Sequence, residues 1–262
     1  MPIVKVNDLN MYYKVCGEGD PLVILQEAGI EISSMYNVLG AFAENYQVIA
    51  LDNRGAGRTD MPDEPYYVEM MVEDTIGLMD KIGIKSAHFL GMSMGARIAL
   101  VIAAKYPERV KSLILNVAAA GFPDMFKSIL EISLENVNLR EKLLQKTGIV
   151  FIQKYPPNPE SFLRQLKAMA DFDGRDYLGQ IKAPTLIING TKDHLAPMEL
   201  TEELAAGIKN SKLIIVDEGH YFAALKPELL IKYSLEFLKE FGIKTDLKQN
   251  VGNYRGCMDE KS

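Results

Sequence analysis

Six short apolar runs recur along the chain, each followed by a stretch with helical periodicity: LVILQ (22–26), YQVIALD (46–52), SAHFLGMS (86–93), KSLILNV (111–117), PTLIING (184–190) and KLIIVDE (212–218). They are rich in branched residues and do not alternate polar with apolar. Strands of that kind are buried on both faces. Strands alternating with helices at this spacing predict a mostly parallel sheet covered on both sides, an α/β fold. Upstream, VKVND and MYYKV read as a hairpin with its turn at 7–10. Ser33 or Ser34 is the expected cap of a helix reaching about residue 44. Further helices are expected over 67–82 and 94–106.

The rhythm breaks between 118 and 172, where no strand is legible. FKSILEISLENVNLREKLLQK and SFLRQLKAMADF are amphipathic helical patterns. This stretch is too short for a core of its own, so a small helical cap is expected over 118–172. The core is then 1–117 with 173–243, and 244–262 reads as a polar, loosely held extension. The 262 residues suffice for such a domain.

Charge and composition exclude several classes. The net charge is −6, and no basic face interleaved with aromatics stands out, which argues against nucleic acid. No apolar run approaches the ~18 residues of a membrane span. The start, MPIVKVNDLN, lacks a signal-peptide pattern. Cys16 and Cys257 are far apart in sequence and are read as reduced thiols in a cytoplasm. No metal-ligand constellation and no cofactor motif is expected. GAGRTD (55–60) mimics a phosphate-binding loop but lacks its third glycine and its lysine, so a structural turn is the reading.

The chemistry centres on GMSMG, residues 91–95. It fits G-x-S-x-G, with a strand before it and a helix after it. Such a turn lifts a serine hydroxyl above the sheet, and its glycines allow close backbone approach. The helix start also supplies free N–H groups, with the amide of Met94 aimed at a developing oxyanion. A serine nucleophile needs a base. Of the three histidines, His220 in DEGHY follows a strand and can reach Ser93; His88 lies within a strand, and His194 follows Asp193. Asp193, in INGTKDHLAP after another strand, is the candidate that orients His220. Ser93, Asp193 and His220 all fall at strand ends of one sheet.

These stretches, together with LDNRGAGRTD, resemble those of the α/β-hydrolase fold over roughly residues 3–241. The branch they resemble holds small-capped esterases, enol-lactonases, carbon–carbon bond hydrolases and cofactor-free haloperoxidase or perhydrolase enzymes. The resemblance implies an eight-stranded, mostly parallel sheet with a small helical cap after the sixth strand. It implies Ser93, Asp193 and His220 as catalytic residues and the amides of Ala28 and Met94 as the oxyanion hole. The substrate is expected to be a small ester, thioester or lactone, with no membrane partner and a monomeric or homodimeric state. The alternatives are a carbon–carbon hydrolase, perhydrolase or acyltransferase using the same residues, or a ligand-binding protein with slow turnover. Phe122, Met125 and Leu195 are candidate pocket residues.

One departure stands out. Where such hydrolases carry His-Gly after the third strand, this chain has Gln26 and Glu27. An ionised Glu27 about 6 Å from an oxyanion, at an effective dielectric near 20, would cost roughly 3 kcal/mol, about a hundredfold in rate. The bland expectation is a Glu27 that faces solvent or pairs with Arg54. The sharper one places Glu27 in the pocket, selecting a cationic or hydrogen-bond-donating substrate or acting as an acid with a raised pKa.

Overall fold

The computed structural model describes residues 3–147, 152–241 and 257. The sheet has eight strands: β1 (Ile3–Val6), β2 (Leu9–Cys16), β3 (Asp20–Leu25), β4 (Tyr46–Leu51), β5 (Ala87–Met92), β6 (Val110–Asn116), β7 (Thr185–Gly190) and β8 (Ser211–Val216). Their order is β1-β2-β4-β3-β5-β6-β7-β8. The β1–β2 and β2–β4 pairs are antiparallel; every pair from β4 through β8 is parallel.

Ten α-helices accompany the strands in the described residues: α1 (Tyr36–Ala43), α2 (Val68–Lys81), α3 (Met94–Lys105), α4 (Asp124–Glu135), α5 (Val137–Lys146), α6 (Pro159–Asp171), α7 (Arg175–Leu178), α8 (Met198–Gly207), α9 (Phe222–Leu225) and α10 (Pro227–Leu238). Side chains alternate across each strand, so every buried strand feeds two cores. Val23, Leu25, Phe89 and Leu113 pack with α2 and α3 on one face. Leu22, Ile24, Leu90 and Ile114 pack with α1 and α10 on the other. This two-sided burial explains why the strands read as unbroken apolar runs.

The site follows from the strand order. The chain leaves β3 over α1 to reach β4 on one side, then returns over α2 to β5 on the other. The connections diverge at β3 and β5, leaving a crevice beyond their carboxyl ends, where open α/β sheets hold ligands. The β3 end enters it with Gln26 and Glu27, and the β5 end with Ser93.

The long helical stretch expected after β6 is two helices. Asn136 ends the first and caps the second, accepting from the Leu139 amide at 3.2 Å. Asparagine competes for backbone hydrogen bonds and so favours a cap over a helix interior. The cap of the first helical segment also differs from expectation. Glu31, not a serine, accepts from the Ser33 amide, and a short 3-10 turn over Ile32–Met35 precedes α1.

Cys16 and Cys257 are joined in a disulfide, their Cα atoms 5.5 Å apart, which corrects the expectation of reduced thiols. Their separation of 241 residues gave no hint that the chain returns to the end of β2. The bond removes the thiol argument for a reducing compartment. Of the expected extension over 244–262, all but Cys257 lies outside the described residues. No described helix is long and apolar enough to cross a membrane.

Candidate active site

Ser93 sits on the strand-to-helix turn in a left-handed conformation, φ 51° and ψ −108°, and is buried. Such a backbone costs of order 1–3 kcal/mol in a non-glycine residue and persists only where its surroundings impose it. Here they do. The Ser93 amide donates to Asn116 O at 3.0 Å, fixing the turn to β6. A Cβ on Gly91 would come within 2.4 Å of Gly95 O, and one on Gly95 within 2.1 Å of Leu25 O. The two glycines therefore let α3 press against β5 and the end of β3. The Gly95 amide then donates to Gln26 O at 3.1 Å, locking the β3 loop to the start of α3.

Three side chains from three loops form one hydrogen-bonded line. His220 Nε2 lies 3.1 Å from Ser93 Oγ, and His220 Nδ1 lies 2.8 Å from Asp193 Oδ2. Asp193 is held in place from behind: Oδ1 accepts from the amides of Leu195 at 2.9 Å and Ala196 at 2.8 Å. Its amide donates to Gly190 O at 3.2 Å, closing the turn after β7. A carboxylate with two backbone donors presents its remaining oxygen to the imidazole in one orientation. The other histidines are elsewhere. His88 bonds Ser112 Oγ through Nδ1 at 2.8 Å inside the sheet, where burial lowers its pKa. His194 is exposed.

Ala28, in the loop after β3, lines the same cavity as Ser93, and Met94 follows Ser93 at the start of α3. No described group pairs with the Ala28 amide. Met94 opens α3, where the first N–H groups have no partner one turn back. Backbone N–H donors without a partner are the groups that can stabilise an oxyanion in acyl transfer.

Above Ser93 lies a cavity of about 880 Å³, counted out to its solvent mouth. The α4–α6 segment roofs it with Phe126, Leu130, Leu143, Phe162 and Met169. Phe122 and Leu195 also line it. Met125 does not: its side chain is 66% exposed, and the neighbouring Phe126 points inward instead. On α4, Phe126 and Leu130 lie one turn apart on the cavity side, and Met125 falls outside that stripe.

Glu27 lines the cavity, and Arg54 is not its partner. Arg54 is buried on Asp74, with Nε to Oδ2 at 2.6 Å and Nη2 to Oδ1 at 3.0 Å. The neighbouring NRGAGRTD stretch is a packed turn: a Cβ on Gly57, whose φ is 57°, would sit 2.2 Å from Asp52 Oδ2. The Glu27 carboxyl has no hydrogen-bond or ion-pair partner among the described residues. Burial against apolar walls raises its pKa; His220 pulls it back down, and Asp193 pushes it further up. The carboxyl is thereby biased toward its neutral, proton-bearing form.

Two further residues shape the site without having been singled out in the sequence. Gln165 on α6 accepts from the Gly29 amide at 2.6 Å and donates to Arg54 O at 2.7 Å, stapling the roof to the β3 loop. Its signal was a polar residue on the apolar stripe of an amphipathic helix. Arg97 lines the cavity from α3 and is 3% exposed. Its signal was a single charge within the apolar stretch MGARIALVIAA.

Known proteins share this framework. A protein of Azorhizobium caulinodans provisionally named carbamate hydrolase RutD is 28% identical over 263 residues, covering 92% of this chain and 99% of its own length. The 2-hydroxy-6-oxo-6-phenylhexa-2,4-dienoate hydrolase of Comamonas testosteroni is 29% identical over 269 residues, covering 90% and 93%. The crystal structure of the enol-lactonase from Burkholderia xenovorans LB400 superposes with a TM-score of 0.80 at 24% identity, covering 91% of this chain and all of that one. That last likeness bears on the fold. Residues 21–154 match the alpha/beta hydrolase fold family, a little over half of the chain. With the sheet order, the strained serine turn and these relatives in agreement, the chain belongs to the alpha/beta hydrolase fold family.

Proposed function

We propose that the protein is a serine hydrolase that cleaves a small ester, thioester or lactone through an acyl-enzyme on Ser93. The observation that carries this reading is the Ser93–His220–Asp193 line, set beneath an apolar cavity. His220 takes the proton of Ser93 Oγ as the hydroxyl attacks the substrate carbonyl. The oxyanion forms against the amides of Ala28 and Met94. His220 then protonates the leaving group, and the cycle repeats with water as nucleophile. Asp193 holds the tautomer that leaves Nε2 free to accept, and stabilises the imidazolium. The 118–172 segment acts as the cap that shapes the acyl pocket.

A second reading has its own support. The similarity to a dienoate hydrolase from Comamonas testosteroni fits carbon–carbon bond cleavage by the same residues. Glu27 would suit it, because a neutral carboxyl beside the base can supply a proton to a carbon leaving group.

Rapid-mixing kinetics with a 4-nitrophenyl short-chain ester separate these readings. A burst of one equivalent, followed by steady turnover that Ser93→Ala abolishes, supports the acyl-enzyme. Slow ester turnover without a burst, alongside cleavage of a vinylogous 1,5-diketone, favours the carbon–carbon reaction.

A further inference from the structure

The cavity above Ser93 contains a charge that the protein does not answer. Arg97 is almost fully buried, and its guanidinium has five N–H donors. Nη1 reaches Ser93 O at 3.5 Å and Nη2 reaches Gly121 O at 3.1 Å; Nε–H has no acceptor. The Phe122 ring centre lies 5.7 Å from Cζ. No carboxylate is within ion-pair reach among the described residues. Asp193, whose field reaches Arg97, is committed to His220 and to two backbone amides. The buried Arg54 and the partly buried Arg58 are treated differently. Arg54 is paired with Asp74, and Arg58 with Asp52 and Glu31.

The carboxyl of another ionisable wall residue, Glu27, also lacks a partner among the described residues. The two can respond differently to burial. A carboxyl sheds its charge by taking up a proton, and burial favours that for Glu27. A guanidinium does not follow. Burial draws Arg97 down only to about 10, so it remains a cation at neutral pH. Arg97 therefore brings a lasting positive charge to a lining that includes the apolar side chains of Phe122, Phe126, Leu130 and Met169.

We propose that Arg97 is the anchor for a carboxylate on the substrate. The substrate class is then an ester, thioester or lactone whose acyl part ends in a free carboxylate. Arg97 follows Ser93 by one turn of α3, and its Nη1 lies 3.5 Å from Ser93 O, so the guanidinium stands close to the nucleophile. That proximity fits an acyl chain with a few methylenes between the reacting carbonyl and the carboxylate, as in a succinyl or glutaryl group. The three donors not used on carbonyl oxygens receive the anion, and the burial that favours the neutral form of Glu27 weakens the negative charge that would oppose it. This subsite rests on the reading of Ser93 as the acyl-accepting nucleophile.

The test compares mono-4-nitrophenyl glutarate with 4-nitrophenyl pentanoate on wild type, Arg97→Gln and Arg97→Lys. The wild type is expected to favour the glutarate ester at least tenfold in kcat/KM, mostly through KM. In Arg97→Gln the ratio of the two kcat/KM values falls at least tenfold, whatever happens to the pentanoate rate itself; Arg97→Lys keeps part of it. Because the ratio is taken within one protein, partial misfolding cancels. A wild type indifferent to the carboxylate, or a ratio unchanged in Arg97→Gln, overturns the proposal. If neither ester turns over, the Ser93 reading has failed, and free glutarate tests the subsite by calorimetry. At least tenfold weaker binding to Arg97→Gln than to wild type upholds it, and equal or absent binding to both overturns it.

Discussion

His220 Nε2 stands 3.1 Å from Ser93 Oγ although 127 residues of chain separate them. The sheet brings them together. Ser93 follows β5, Asp193 follows β7 and His220 follows β8, and these strands run parallel, so all three loops leave by the same edge. The orientation of His220 is then a property of Asp193. Replacing Asp193 with Asn keeps an acceptor for the Leu195 and Ala196 amides but turns the imidazole toward the wrong tautomer. A loss in kcat of about 10³–10⁴ is expected with little change in melting temperature. Steady-state kinetics and calorimetry on the same sample check both halves. A loss below tenfold would remove Asp193 from the proposed role.

Glu27 should impose a pH signature. Its pKa is raised above the ordinary value of 4.5, first by burial. The folded protein therefore holds a proton that the unfolded chain gives up. The resulting stabilisation is complete below pH 4.5 and is lost as pH rises through the raised value. Glu27→Gln escapes that loss, so its melting temperature should gain on the wild type as pH increases. Activity should follow the same course. The ratio of variant to wild-type kcat/KM should stay near one on the acid side and climb on the alkaline side, by at most about a hundredfold if the charge lies about 6 Å from the oxyanion. A ratio flat across the pH range would mean that the carboxyl does not change charge in the site.

Gln165 bridges α6 and the β3 loop through the Gly29 amide and Arg54 O. In Gln165→Leu, two buried partners lose their hydrogen bonds, at a cost of about 1–3 kcal/mol for each group left unpaired. The loop that presents the Ala28 amide also loosens. Chemical denaturation should show the loss of stability, and kcat should fall more than KM changes. Unaltered kcat with reduced stability would make the staple purely structural.

The Cys16–Cys257 bond has a direct chemical test. Protein unfolded without reductant should give no thiol titre, and two thiols per chain after reduction. Closing so long a loop restricts the unfolded chain, so Cys257→Ser should lower the melting temperature. A titre of two before reduction would mean that the thiols are not joined.

Much of this was legible in the residues, for definite reasons. The doubly buried strands have no polar alternation, so LVIL and FLGM could hardly be anything else. GMSMG is dictated by close approach: the Gly95 position would clash with Leu25 O if it bore a Cβ. Features set by tertiary contact were less visible. Whether Glu27 pairs with Arg54 depended on Asp74, which is 20 residues further on and lies on α2. Which of Met125 and Phe126 faces the cavity depended on the exact phase of α4. Arg97 looked like an ordinary helix residue until its neighbours proved to hold no carboxylate. The disulfide joined positions whose sequence context gave no pairing rule.

The most direct test of the Ser93 nucleophile is labelling with a fluorophosphonate at neutral pH, followed by peptide mass spectrometry. The mechanism predicts a single adduct on Ser93 in the wild type, much slower labelling in His220→Ala and none in Ser93→Ala. An unmodified Ser93 in folded wild-type protein, or an adduct on another residue that persists in Ser93→Ala, would contradict it.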